Sequence, residues 1–239
     1  APAREILERI EENFELAAVE NVPICQDTGV ACVFLEIGQE VHIAGGDITQ
    51  AVNEGVRQGY AEGYLRKSLV RDPLDRVNTG DNTPAMLYCD IVPGDKIKMT
   101  VAPKGFGSEN MSQIKMLRPS DGIEGVKAFV LKAVEEAGPN PCPPIIVGVG
   151  IGGTFDKAAL LAKKALLRET GTPSADPLYA KLEEELFEKI NALGIGPQGF
   201  GGKTTALAVA VEHYPTHIAG LPVAVNINCN VARHKTEVL

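Results

Sequence analysis

The sequence predicts an α/β protein: a mixed β-sheet flanked by helices, with an inserted antiparallel hairpin. Three observations carry that prediction. Stretches with apolar residues at helical spacing alternate with short apolar runs rich in Val and Ile, the order expected of βα units. Two of the short runs, "MLYCDIV" and "KIKMTVA", are joined by Pro93, Gly94 and Asp95, residues that favour a tight turn. No repeat, low-complexity stretch or linker interrupts the 239 residues, so 1–239 reads as one domain.

The elements follow in order. Ile6, Leu7, Ile10, Phe14 and Ala17 make a helical stripe near the start. "GVACVFLEI" reads as a strand. Asp47 is placed to cap a helix running to about Val70, with Ile48, Val52, Val56 and Tyr60 on one face. "RDPLDRVNTGDNTPA" is a polar loop, and the hairpin follows it. "PKGFGSENMSQ" is a glycine-containing loop too polar for a core. Helices are expected at about 121–137, 155–168 and 176–193. "PPIIVGVGI", "TALAVAVEHY" and "LPVAVNINC" read as strands.

Composition narrows the function. Hydrophobic residues at 44% and charged residues at 23% are ordinary for a globular protein. A net charge of −8 argues against nucleic acid and against anionic membrane as partners. No apolar run is long enough to span a bilayer. The first residues, "APAREILERIEENFELAAVE", mix charge with apolar residues and hold no signal-peptide core. Five widely spaced cysteines suit a reducing compartment, and the expected location is cytoplasmic.

Two glycine motifs invite a nucleotide reading. "GVGIGG", residues 148–153, fits a dinucleotide-binding turn between a strand and a helix. The second strand with its terminal acid does not follow, because "LLRETGTPSADP" stands there. A tight turn and close backbone approach explain these glycines as well. In "GPQGFGGKTT", the glycine that a P-loop needs six residues before the lysine is Pro197. What remains is an adaptable, backbone-rich loop carrying Lys203.

The cysteines divide by context. Cys32 and Cys89 sit within apolar strands and read as core. Cys25 precedes Gln26 and Asp27, Cys142 stands between prolines in "GPNPCPP", and Cys229 ends a strand in "NINCNVARH". Three thiolates at such junctions are candidates for a metal centre. Zinc sites usually add a fourth ligand or a histidine, and ferredoxin clusters use four closely spaced cysteines. Three cysteines suit a cubane cluster with one iron left open, although spacing alone leaves the choice unmade. Asp27-Thr28-Gly29 also reads as a plain turn, and Arg66 as a solvated helix charge.

The blocks "PICQDTG", "LRKSLVRDPLDRVNTGDNTPA", "KGFGSENMSQIKML", "VGVGIGGTFDKAALLAKKALLR", "IGPQGFGGKTTALAV" and "THIAGLPVAVNINCNVARH" run in order along nearly the whole chain. In them the chain resembles the alpha subunit, or N-terminal catalytic portion, of class I (iron–sulfur) fumarases and the related L-tartrate dehydratases. The resemblance implies a [4Fe-4S] cluster held by Cys25, Cys142 and Cys229, with an iron open to substrate. It implies Asp27 as a catalytic residue and Gln26, Arg66, Gly107 and His217 as substrate-binding residues. It implies a tricarboxylic-acid-cycle hydro-lyase that interconverts fumarate and L-malate, or dehydrates L-tartrate to oxaloacetate. The family's remaining active-site residues belong to a beta subunit or C-terminal half, so a beta-subunit partner is expected.

Overall fold

The computed structural model describes residues 2–239. In chain order its elements are α1 (Pro2–Glu20), β1 (Val30–Gly38), α2 (Ile48–Glu62), β2 (Met86–Val92), β3 (Ile97–Lys104), α3 (Phe106–Glu109) and β4 (Gln113–Leu117). There follow α4 (Gly122–Ala137), β5 (Ile145–Gly152), α5 (Phe155–Ala165), α6 (Pro177–Ala192), β6 (Ala206–Tyr214), β7 (Leu221–Asn228) and β8 (Lys235–Val238). The class is α/β as predicted, but the strands form two mixed four-stranded sheets. Contacts divide the described residues into two units. The first holds residues up to Glu12 and Gly107–Ala232, and the second holds Asn13–Phe106 and Arg233–Leu239. No described helix is long and apolar enough to cross a membrane.

The second unit is built on the sheet β2-β1-β3-β8. β1 pairs in parallel with β2 and antiparallel with β3. The predicted hairpin is therefore corrected: β2 and β3 are joined by the expected turn but lie on either side of β1. Residues 92–96 cross the end of β1, whose Gly38, Gln39 and Glu40 amides donate to Lys96, Val92 and Gly94 carbonyls at 2.8–3.0 Å. Turn chemistry fixes a reversal of direction, but which strand fills the gap is decided by burial. β1 is sealed on both faces, with Val33 at 1% exposure, whereas β2 is an edge strand. For the same reason Cys32 is core, while Cys89 on β2 is exposed, contrary to expectation.

Asp47 caps α2 as predicted, accepting from the Gln50 amide at 2.9 Å. The helix stops at Glu62 rather than near Val70. Tyr64 takes a left-handed conformation (φ 53°), and the Leu65 amide turns back to the Tyr60 carbonyl at 3.0 Å. Arg66 accordingly lies on an exposed stretch outside any helix or strand.

The first unit carries the sheet β4-β7-β5-β6. All eight residues of β5 are buried, the pattern of a strand covered on both faces. Ile145, Val147, Val149 and Ile151 join a core with Val130 and Val134 of α4 and Leu186 and Ile190 of α6. On the opposite face α5 comes unusually close. A Cβ on Gly148 would stand 2.2 Å from the Ala162 carbonyl oxygen, and one on Gly150 2.1 Å from that of Ala158. The motif that suggested a dinucleotide is thus occupied by helix packing. β4 and β8 were not foreseen. β8 is exposed throughout, so no apolar alternation marks it.

Candidate active site

In the second unit, Cys25, Gln26 and Asp27 stand on the loop before β1. Cys25 and Asp27 are half-buried and Gln26 is exposed. Asp27 makes the turn that its sequence allows. Its Oδ1 accepts from the Gly29 amide (3.0 Å) and its Oδ2 from the Phe106 amide (2.8 Å). Each carboxylate oxygen has two lone pairs, so acceptor capacity remains on both. Gly29 is required here: its φ is +77°, and a Cβ would stand 2.6 Å from the Lys104 backbone. The Asp27 carbonyl receives the Arg233 guanidinium at 2.9 Å and lies 3.5 Å from Cys25 Sγ.

Arg66 reaches this loop through its backbone. Its carbonyl accepts from Thr28 Oγ1 at 3.0 Å. The two stretches are also joined by Asn82, which is fully buried. Asn82 Oδ1 accepts from the Ser68 and Leu69 amides (2.8 and 3.0 Å), and Nδ2 donates to the Gly29 carbonyl (3.1 Å). Tyr60 Oη lies 3.0 Å from both the Thr28 and Gly29 carbonyls. Burial pushes the Tyr60 hydroxyl up to about 12, an effect opposed by the Arg233 charge, so it remains a donor at neutral pH.

Sequence reasoning passed over Asn82, a polar residue in a polar loop. The one signal was the neighbouring Gly80 and Pro84, which mark unusual backbone. Asn82 has φ 63°, a region that asparagine tolerates better than most side chains. We therefore expect Asn82→Gly to cost about 2 kcal/mol through its lost hydrogen bonds. Asn82→Ala should cost about 1 kcal/mol more, from left-handed strain. Denaturant melts of the two variants check the difference, and amide exchange should quicken at Ser68 and Leu69.

In the first unit, Cys142 and Cys229 lie on neighbouring segments. β5 and β7 are antiparallel, so the start of one adjoins the end of the other. The Cys142 carbonyl accepts from both the backbone amide (3.3 Å) and Nδ2 (2.8 Å) of Asn230. Cys142 is exposed, has φ 54°, and is set between the buried Pro141 and Pro143. A non-glycine residue held there costs stability and points to a role for its side chain. Gly107 is nearby: a Cβ on it would stand 3.7 Å from the Asn140 carbonyl oxygen. The glycine loop of Lys203 reaches the same turn, with the Gln198 amide and Nε2 donating to the Pro143 carbonyl at 2.7 and 3.0 Å.

Beside them lies a polar cluster that no spacing announced. Glu109 accepts from Lys163 Nζ (2.6 Å) and Asn226 Nδ2 (2.8 Å), and Asn226 Nδ2 also donates to Ser112 Oγ (2.7 Å). It ties α3, and with it Gly107, to α5 and β7.

His217 is not brought to that end. It follows β6 and precedes β7, where Thr216 Oγ1 donates to the Gly153 carbonyl at 2.9 Å. The eight residues of β7 separate it from Cys229, about 26 Å at roughly 3.3 Å per residue.

A family model described as "Fumarate hydratase (Fumerase)" matches residues 1–238. A Methanocaldococcus jannaschii protein, provisionally named L(+)-tartrate dehydratase subunit alpha, is 48% identical over 95% of this chain and 81% of its own length. L(+)-tartrate dehydratase subunit alpha of Escherichia coli strain UTI89 is 36% identical over 94% of this chain and 75% of its own. Its counterpart in strain K12 is 35% identical over the same shares. The chain belongs to the fumarate hydratase family and is an enzyme of the hydro-lyase class.

Proposed function

We propose that residues 1–239 work as the alpha subunit of an iron–sulfur hydro-lyase that interconverts fumarate and L-malate. The observation that carries the reading is Cys142, an exposed thiol held in left-handed backbone, its carbonyl gripped by the residue after Cys229. A second reading, dehydration of L-tartrate to oxaloacetate, is favoured by the names of the relatives.

Cys25, Cys142 and Cys229 are the proposed ligands of a [4Fe-4S] cluster. The donor chemistry fits: all three are half-buried or exposed and stand outside strands, whereas Cys32 is sealed at 2% exposure. Among the described residues no three His, Cys, Asp or Glu groups converge as ligands of a single ion. A cubane makes a different demand, one thiolate on each of three irons. When bound, the cluster's open iron supplies a Lewis acid for the substrate hydroxyl.

The protein's own groups do the rest. The Arg66 guanidinium grips one substrate carboxylate with its planar fork, and Gln26 adds a neutral hydrogen bond without adding charge. A backbone amide near Gly107, where there is no side chain to intrude, is the second anchor, whereas His217, at the far end of β7 from Cys229, is given no part in a pocket formed within one chain. Asp27, fixed by two amide donors, orients the leaving hydroxyl or takes part in proton transfer. A beta subunit supplies the remaining groups.

The two-chain complex, assayed anaerobically with L-malate and with L-tartrate, decides between the substrates. We expect malate to give the larger kcat/KM and the isolated 239-residue chain to be inactive. Preference for tartrate would select the second reading. Full turnover by the homogeneous single chain would refute the need for a partner.

A further inference from the structure

We infer that the open edge of β6 carries a second binding site, for an uncharged planar ligand with a hydrogen-bond donor beside an acceptor, the edge that nucleobases and carboxamides present.

β6 is an edge strand, paired only with β5. The Ile145 amide donates to the Thr205 carbonyl (2.8 Å), and the parallel register then sets Val147 against Val209 and Val149 against Val211. In such a ladder alternate residues turn both peptide groups away from the partner strand. On this stretch of β6 these are Ala206, Val209 and Val211, the irregularity at Ile145/Ile146 resetting the phase. Side chains close the first and the last. Asn191 Oδ1 accepts from the Ala206 amide (2.9 Å), and Asn191 Nδ2 donates to the Ala206 carbonyl (3.3 Å). Glu183 Oε1 accepts from the Val211 amide (2.7 Å), and Arg168 Nη2 donates to the Val211 carbonyl (2.8 Å). Between them, the N–H and C=O of Val209 meet no partner among the described residues. A donor and an acceptor are thus left side by side on an otherwise closed edge, and such groups call for partners.

Val209 lines a cavity of about 740 Å³, the size of a small-molecule site. Pro177, Ala180, Lys181, Glu184 and Phe187, spaced three and four apart on one face of α6, form part of its wall. Phe187, 37% exposed, and Leu207, 43% exposed, offer apolar surface to a flat ring.

The surroundings choose the ligand. The rungs at Ala206 and Val211 are taken, so an extended peptide finds a single place to pair, whereas a compact ring needs no more. Glu169 and Glu184 outnumber Lys181, which itself lies 3.9 Å from Glu185, so an anion is disfavoured. Arg168 brings no spare charge, being paired with both Glu183 and Glu212. A dicarboxylate therefore does not suit this cavity, and none of the residues assigned above to the substrate site lines it. In the bound state the Val209 amide donates to a ring nitrogen or carbonyl, and the Val209 carbonyl accepts from the neighbouring N–H of the ligand.

Adenine and nicotinamide are the probes, titrated into the full chain while backbone amide resonances and amide exchange are followed. Before addition, the Val209 amide should exchange faster than that of Val211, which Glu183 holds. Both probes should shift Val209 and Ala210 saturably and slow exchange at Val209. N,N-dimethyladenine keeps the ring and loses the donor, so it should bind roughly 5- to 150-fold more weakly than adenine, the cost of a buried acceptor left unmet. Val209→Pro removes only the outward N–H, which an edge strand tolerates, and should abolish the response. Ala180→Trp fills the cavity from α6 and leaves β6 untouched, and it decides the matter should the proline variant fail to fold. The site is refuted by any of four results: a Val209 amide as protected as Val211 in the free chain, no saturable binding of either probe, equal binding of adenine and its dimethyl form, or binding that survives Ala180→Trp.

Discussion

Asp27→Asn is expected to lower kcat about 10²- to 10⁴-fold while leaving KM within a few-fold, the range for loss of a group that moves or orients a proton. The geometry makes the variant informative. The carboxylate accepts two backbone amides, one on each oxygen. Asparagine keeps one accepting oxygen and turns an NH₂ toward the other amide, so it loses one anchor as well as the charge. Asp27 as a turn residue therefore predicts some loss of stability and faster exchange at Phe106 or Gly29, with turnover nearly intact. Asp27 as a catalytic group predicts the collapse of kcat even where exchange at those amides is unchanged. Anaerobic steady-state kinetics on the two-chain complex, with iron measured for each preparation, separates the two. A near-normal kcat with a full cluster would leave Asp27 as a turn residue only.

Cys25→Ser, Cys142→Ser and Cys229→Ser are each expected to abolish the cluster and with it all detectable dehydration. Cys32→Ser and Cys89→Ser should keep both. The contrast does not follow exposure alone. Cys89 is open to solvent but sits in the middle of an edge strand, where the ladder of β2 fixes its backbone. Cys32 is buried at 2% exposure, and a serine hydroxyl there costs about 1–3 kcal/mol, so its effect should appear in stability and not in iron content. Iron and sulfide analysis of the five reconstituted variants reads the result directly. A wild-type cluster in Cys142→Ser would sink the ligand assignment.

Most helices and the strands of the first unit were legible because their signals are local. Asp47 before an apolar stripe gave the start of α2, and the apolar run of β5 gave a strand. What stayed hidden depends on distant partners. Tyr64 ends α2 in a conformation that a tyrosine does not advertise. β1 enters between β2 and β3, a choice made by burial and not by the turn. Of the candidate site, Cys25, Asp27, Cys142 and Cys229 stand out in the sequence by their place at strand junctions. The residues that aim them do not. Asn82 joins segments 14 and 53 positions apart, and Glu109 meets Asn226 across 117. A hydrogen bond of that kind leaves no periodicity in the chain. The placement of His217 was hidden for a related reason. Twelve positions before Cys229 is near in sequence, and only the intervening strand β7 makes it far in space.

The insertion of β1 between β2 and β3 has a kinetic consequence. A hairpin closed across Pro93-Gly94-Asp95 needs only local motion and forms in about microseconds. Native pairing of Cys32 with Met86 must bring together residues 54 positions apart, and Val30 with Lys104 must close 74. The loop entropy is lost before those contacts repay it. During synthesis β1 leaves the ribosome first and waits unpaired, while its two neighbours can find each other as soon as both have emerged. Refolding of the second unit is thus a contest between a fast local pairing and the slower native one that must open it.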